Sequence, residues 1–256
     1  MKVRFYANAS KSVARSAAKR LAAAARRAGL AVVARGACDA VVVLGGDGTM
    51  LRAVRQFPDT PLVGFNLGSL GYLASVGEGD FERALAMLAR GAFSVSERTM
   101  LEVGGRVALN DVVIVREMTG HAAVLDLAAD GRAATRYMAD GIAVATPTGS
   151  TAYSLAAGGP VLMPDSRSFV VTPMNPHALG VRPMVVSDAV RLRVTSRRYV
   201  SGADERLGVY ADGENVRMLK AGDSVEIVKS DRVARLIELE GYDPYEVLNR
   251  KLGWSK

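Results

Sequence analysis

The sequence is poor in the residues that staple or metallate a fold. Its 256 residues include one cysteine, Cys38, and two histidines, which excludes a disulfide scaffold and a Cys/His zinc cluster. No run approaches the roughly 18 consecutive apolar residues of a membrane span, so no membrane partner is expected. The opening residues, MKVRFYANAS, carry a basic pair but lack the unbroken apolar stretch of a secretion signal, which makes the cytoplasm the expected compartment. Aromatic residues make up 6%, and none interrupts the densest basic segment, 11–27. Stacking on single-stranded nucleic acid needs aromatics in the basic groove. The net charge of +7 therefore reads as a solvated surface, and nucleic acid is not expected as a partner. Two common nucleotide-binding patterns are also missing, the phosphate loop Gly-x-x-x-x-Gly-Lys-Ser/Thr and the Gly-x-Gly-x-x-Gly fingerprint after the first strand. An ordinary P-loop kinase and a Rossmann dehydrogenase are both disfavoured.

What remains is an ordinary globular composition, 49% hydrophobic and 23% charged, long enough for one large domain or two small ones. The first ninety residues alternate between two periods. Residues 2–7 and 30–34 are β-prone, and between them Val13, Ala17, Leu21, Ala24 and Ala28 recur at helical spacing, with Gly29 as the stop. Residues 40–44 form a Val-rich run of the kind buried on both faces of a parallel sheet. A helix is expected over 50–56, a strand over 61–65 and a helix over 80–89, giving β-α-β-β-α-β-α and an open, mostly parallel α/β sheet. From about residue 93 the pattern turns to short alternating strands, at 109–115, 123–127, 141–145, 168–172, 184–186, 190–194 and 225–228. Asp130-Gly131, Asp140-Gly141, Asp212-Gly213 and Gly222-Asp223 punctuate them as turns, which reads as a β-rich domain. Tyr245, Leu248 and Leu252 follow Pro244 at helical spacing and predict a terminal helix returning to the first domain.

Gly45-Gly46-Asp47-Gly48-Thr49 stands at the carboxyl end of the 40–44 strand, where ligands bind in open parallel sheets. Glycines there let backbone approach a phosphate, and the helix that follows offers N–H groups and a positive dipole end. A carboxylate repels phosphate, so Asp47 makes sense beside a hydroxyl that attacks the phosphate or on a metal; a plain helix cap is the alternative. A second glycine-rich segment, 64–73, follows the next strand and ends in Gly71-Tyr72-Leu73, with Tyr72 able to stack on a base or to sit in the core. In the β-rich half, Thr146-Pro147-Thr148-Gly149-Ser150-Thr151-Ala152-Tyr153-Ser154 places five hydroxyl residues of Ser or Thr among nine, either to bind ribose, amide or phosphate or to cap a short helix.

In order and spacing, the 45–49 loop, the 66–73 loop, Asn110-Asp111, and Asp140-Gly141 leading into 146–154 resemble the NAD kinases. The resemblance extends over nearly the whole chain, including a closing segment at 242–253. The aspartate loop alone is shared with diacylglycerol- and sphingosine-type lipid kinases, whereas the threonine-rich loop at this distance after an Asn-acid pair is much more specific to NAD kinases. The resemblance implies that ATP, or polyphosphate, donates a phosphate to the 2′-hydroxyl of the adenosine ribose of NAD, with a divalent metal, Mg²⁺ by preference. It implies Asp47 as the general base, and room for the donor phosphates at Gly46, Gly48 and Thr49. Asn110 and Asp111 hold the adenosine half, Thr148, Thr151 and Ala152 line the adenine site beside Tyr72, and Asp140 and Tyr153 lie toward the nicotinamide half.

The implied domains are 1–98 completed by 239–256 for the phosphate loop, and 99–238 for NAD, which they enclose. A homodimer or homotetramer is implied as well, held through 101–238, with 177–183 near a neighbour's nucleotide site. Three positions depart from the family's habit. Asp111 stands where many relatives carry Glu, Ala156 where Ser is frequent, and 177–183 matches in part. The competing readings are a lipid or small-alcohol kinase built on the same aspartate loop and a non-catalytic NAD(P)-sensing module.

Overall fold

The computed structural model describes residues 1–7, 12–68, 71–117, 122–198 and 206–254. Lys11 of the basic segment, the side chain of Val13, and Ser69 and Leu70 of the second glycine-rich loop lie outside that description. The chain divides into two compact units, one of Met1–Glu97 with Ala234–Lys256, the other of Arg98–Val233. The elements run β1 (Lys2–Ala7), α1 (Ser12–Arg27), β2 (Ala31–Val32), β3 (Ala40–Leu44), α2 (Asp47–Gln56), β4 (Leu62–Phe65), α3 (Phe81–Arg90), β5 (Phe93–Val103), β6 (Arg106–Ala108), β7 (Asp111–Arg116) and β8 (Ala123–Ala129). They continue through β9 (Arg132–Ala139), β10 (Gly141–Ala145), α4 (Tyr153–Ala156), β11 (Ser168–Met174), β12 (Met184–Ser187), β13 (Leu192–Arg197), β14 (Leu207–Ala211), β15 (Glu214–Leu219), β16 (Ser224–Leu239) and α5 (Pro244–Leu252).

In the first unit a parallel sheet runs β2-β1-β3-β4 and is extended by the end of β16, where Leu236 lies beside Leu62. All five residues of β3 are buried, as a strand covered on both faces requires. Ala17, Leu21, Ala24 and Ala25 of α1 and Phe81, Ala84, Leu85 and Leu88 of α3 close one core with Val3, Val42, Leu44, Val63, Phe65 and Ile237. Phe81 stacks on Phe65 with ring centroids 4.8 Å apart. The charged residues of α1, among them Arg15, Lys19, Arg20, Arg26 and Arg27, are exposed, so the basic segment is a solvated helix face as expected. Among the described residues no helix is long and apolar enough to cross a membrane. The last helix belongs to this unit. Its Asp243 cap accepts the N–H of Tyr245 at 2.8 Å, Pro244 presets the first turn, and Gly253 at φ 66° ends it.

The second unit is a two-layer β structure. One layer is an antiparallel sheet in the order β12-β11-β10-β7-β14-β15; the other sets β16, β13, β8 and β9 side by side. Their inner faces share one core that includes Leu101, Ile114, Leu125, Tyr137, Val144, Phe169, Val194, Val209 and Ile227. Two hairpins turn on two residues with positive φ, Asp130-Gly131 at 48° and 77° and Asp212-Gly213 at 47° and 78°, the geometry that matches the twist of antiparallel strands.

Several sequence expectations shift. The second helix begins at Asp47 rather than residue 50, the strand expected at 190–194 is Leu192–Arg197, and 225–228 is a fragment of the 16-residue β16. β5, β6, β9, β14 and β15 add to the strands singled out from the sequence. β9 has one face in water and reads as polar, so alternation of apolar residues does not announce it. Asp140-Gly141 is no hairpin turn: Asp140 alone separates β9 from β10, and the two strands lie in different sheets. Gly141 opens β10, and a Cβ there would lie 2.2 Å from the carbonyl oxygen of Ile114. The glycine is set by close strand approach.

Candidate active site

In the first unit the site is built at the carboxyl ends of β3 and β4. Gly45, at φ 149°, leaves β3 with a conformation that a side chain would strain, and a Cβ on it would meet Thr49 Oγ1 at 2.4 Å. Gly46 and Gly48 are exposed at the start of α2, while Thr49 is buried beneath them. Asp47 is the first residue of that helix, yet its carboxylate does not cap it. It reaches to the second glycine-rich loop and accepts three backbone N–H groups in succession: Tyr72 at 2.9 Å, Leu73 at 3.0 Å and Ala74 at 3.0 Å. Gly71 makes the approach possible, because a Cβ there would sit 2.0 Å from Asp47 Oδ1. The loop is braced from behind by buried Asn66, whose Nδ2 donates to the Ala74 carbonyl at 3.3 Å and whose Oδ1 accepts the Gly68 N–H at 2.8 Å. Tyr72 is half-buried; burial first and the Asp47 charge second raise its phenol above the ordinary range. The Lys251 ammonium of α5 lies 5.8 Å from its ring centre.

In the second unit three segments converge. The Thr146 N–H donates to the Asn110 carbonyl at 2.9 Å and its hydroxyl to the Leu109 carbonyl at 2.5 Å. Gly149 packs so closely that a Cβ would fall 1.9 Å from the Asn110 carbonyl oxygen. The threonine-rich loop thereby sorts its hydroxyls. Thr146, Ser150 and Ser154 are buried and spent internally, Ser150 on the Pro147 carbonyl and the Leu162 N–H, Ser154 on Thr172 at 2.7 Å. Thr148, Thr151 and Ala152 stay partly accessible and Tyr153 is half exposed, so these four candidates form the accessible face.

Asp111 is buried, at 7% exposure, and receives the N–H of Tyr153. Burial first and the neighbouring Asp212 carboxylate second push its carboxyl from 3.8 up to about 7, against the smaller opposing effect of that N–H. Asp212, read from sequence as turn punctuation, is the residue that sequence reasoning missed. Its carboxylate accepts the N–H groups of Leu109 at 2.8 Å, Asn110 at 2.8 Å and Asp111 at 3.2 Å. The available signal was an Asp-Gly pair after the apolar-rich stretch 207–211. Asp140 is not brought to this cluster. It precedes β10 while Thr146 follows it, so the two lie about 17–20 Å apart along the strand. There Asp140 pairs with Arg116 at 2.6 Å and accepts from Asn175 Nδ2 at 2.9 Å.

The buried Asp111 carboxyl makes stability depend on pH with a definite sign. Its folded pKa lies above its unfolded one, so its contribution is complete below about pH 4, is lost as pH rises to about 7, and is constant above. Asp111→Asn has no such proton. The stability of wild type relative to Asp111→Asn is expected to fall between pH 4.5 and 7.5 in urea denaturation, and a difference independent of pH would contradict the assignment.

Two comparisons bear on this arrangement. The family description ATP-NAD kinase N-terminal domain matches residues 3–93, and ATP-NAD kinase C-terminal domain matches 109–239. The chain is 41% identical over 232 residues to the NAD kinase of Syntrophotalea carbinolica, covering 86% of this chain and 80% of that one. It is 38% identical over 230 residues to the NAD kinase of Rhodopirellula baltica, covering 85% and 72%. Among solved structures, an NAD kinase from Archaeoglobus fulgidus in complex with ATP superposes with a TM-score of 0.81 at 25% identity, covering 99% of this chain and 98% of that one. Yeast NADH kinase complexed with NADH shares the fold at a TM-score of 0.87 and 22% identity, covering 100% and 88%. Both halves of the chain match, not the aspartate loop alone, and the chain belongs to the NAD kinase family, phosphotransferases with an alcohol group as acceptor.

Proposed function

We propose that this chain transfers the terminal phosphoryl group of ATP to the 2′-hydroxyl of the adenosine ribose of NAD, giving NADP, with Asp47 as the general base. The observation that supports it most is the setting of Asp47, a carboxylate gripped by three backbone N–H groups at an accessible, glycine-walled helix start. A carboxylate has about four lone-pair sites. With three occupied, one remains for a donor, and the acceptor hydroxyl fills that role. As the 2′-oxygen attacks the terminal phosphorus, its proton passes to Asp47, the bond to the bridging oxygen breaks, and ADP leaves. Gly46, Gly48 and Thr49 line the approach of the donor phosphates, and the N-terminus of α2 adds a favourable dipole.

The acceptor contacts fall to the β-rich unit. Asn110 and Asp111 hold the ribose, Thr148, Thr151 and Ala152 line the adenine, and Tyr153 and Asp140 serve the nicotinamide half. A divalent cation, Mg²⁺ by preference, neutralises phosphate charge when bound. Among the described residues no group of three or more His, Cys, Asp or Glu side chains could hold a metal ion. An ion carried in on the donor phosphates would supply that neutralisation. The cytoplasm is the compartment this chemistry suits, to be checked by cell fractionation.

Asp47→Asn keeps the size of the side chain and removes its basicity, a loss that typically costs about 10²- to 10⁴-fold in rate. Turnover with ATP, NAD and Mg²⁺ should fall by that order while NAD still binds, and an NAD analogue lacking the 2′-hydroxyl should bind without being phosphorylated. Near-wild-type turnover by the variant, or phosphorylation of the analogue elsewhere, refutes the assignment.

We also infer a homodimer or homotetramer held through the β-rich unit. The edge strand β12 exposes Val185 at 51%, and the neighbouring 177–183 stretch exposes Leu179 at 94%, apolar surface that a second copy would cover. Light scattering at assay concentration should give a multiple of 27.1 kDa; an active species of one chain mass would end the inference.

A further inference from the structure

The hairpin joining β14 to β15 carries more than a reversal of direction. A two-residue turn with both φ positive is served at least as well by Asn as by Asp in its first position. The comparable Asp130-Gly131 turn uses its carboxylate on a single backbone group, the Arg191 N–H at 3.0 Å. Asp212 differs, because its carboxylate takes three consecutive N–H groups, those of Leu109, Asn110 and Asp111, within 2.8–3.2 Å. Its own N–H returns to the Asp111 carbonyl at 3.0 Å, so the backbone of Asp111 is held from both sides by one residue. An amide in place of the carboxylate would keep an oxygen for the Asn110 and Asp111 N–H groups but turn its NH2 toward the N–H of Leu109, donor against donor. The position therefore calls for an anion.

We propose that Asp212 is a positioning residue of the acceptor site, a fixed anion that holds the Asn110–Asp111 turn and sets the hydrogen-bonding role of the Asp111 carboxyl. The proposal rests on the reading that Asp111 meets the ribose of NAD. Three elements bring groups to Asp111. The turn brings Asp212, α4 brings the N–H of Tyr153 together with its half-exposed phenol, and β10 brings apolar Ala145 alongside. Asp212 already has three charge-assisted bonds that reward its ionised form. Asp111 has one, so a proton shared out between the two carboxyls settles on Asp111, in line with its raised value. Protonated, Asp111 offers an O–H donor and a carbonyl acceptor, a match for two adjacent ribose hydroxyls of which one accepts and one donates. Ionised, it offers acceptors alone and adds a second negative charge to a site that takes a dinucleotide with two anionic phosphates. NAD affinity should therefore fall as pH rises through about 7.

The test is a carbon-13 NMR titration of the full chain labelled at aspartate side-chain carboxyls, from pH 5 to 9 without nucleotide, paired with NAD binding by calorimetry over the same range. In wild type one carboxyl should titrate near neutrality, and its signal should vanish in Asp111→Asn. NAD affinity should drop by roughly tenfold across the same transition, the equivalent of one pKa unit of coupling. Asp212→Asn keeps a residue that tolerates the turn and removes the charge. Its Asp111 midpoint should move down by roughly one pH unit or more, and the pH dependence of NAD binding should move with it.

An unmoved midpoint in folded Asp212→Asn overturns the proposal. If that variant does not fold, wild type decides alone, and an Asp111 midpoint in the ordinary carboxylate range overturns it equally. Equal NAD affinity of wild type and Asp111→Asn at every pH would overturn the acceptor reading, and the proposal with it. That failure is distinguishable because the carboxyl titration is read in the absence of NAD.

Discussion

A carboxylate that accepts three consecutive backbone N–H groups from a distant segment is fixed by charge-assisted bonds that must all be broken together for it to move. Asp47 is held in this way by residues 72–74, and the arrangement ties the start of α2 to the loop after β4. Much of the first unit's site follows from it. Gly71 must lack a side chain, Gly64 must let Ala74 lie against β4, and Asn66 must stay buried to brace the loop. The same device appears in the second unit, where Asp212 takes residues 109–111. In the first case a loop supplies the amides, in the second the segment that opens β7, and each is held by a single acidic side chain.

The two grips leave different chemistry behind. Asp47 is itself the reactive group in the proposed transfer, and fixing it by backbone preorganises its remaining lone pair. Asp212 is removed from reaction by its three bonds and acts on Asp111, whose burial and proximity to that fixed charge set its proton. One unit thus presents an acid gripped by backbone at an open helix start, and the other a buried acid whose carboxyl is pushed up to about 7.

The hydroxyl-rich loop shows how little composition says about which groups face a ligand. Thr146, Ser150 and Ser154 were as plausible on paper as Thr148 and Thr151. Internal hydrogen bonds to Leu109, Pro147, Leu162 and Thr172 consume the first three, and what stays accessible is the remainder together with Ala152 and Tyr153. Asp140 carries the reverse lesson. It stands six residues before Thr146, yet a single extended strand sets the two at opposite ends of β10, so a ligand meeting both must itself be long.

Local chemistry determined a good part of this protein. The Val-rich run at 40–44, the helical period from Ala17 to Ala24 and the glycine stop at 29 depend on near neighbours, and they appear in the structure where they were expected. The aspartate loop could be placed at a strand end for the same reason, and the likeness of the two halves to one enzyme family was legible from motif order. The tertiary structure decided everything that rests on pairs far apart in the chain. β9 and β15 have polar faces and gain their strand character from the neighbours they pair with. Asp47 meets residues 25 to 27 positions away, and Asp212 meets residues 101 to 103 positions away. No period or local motif encodes such contacts, because the hydrogen bonds that give these aspartates their roles exist only once the sheets have brought the strand ends together.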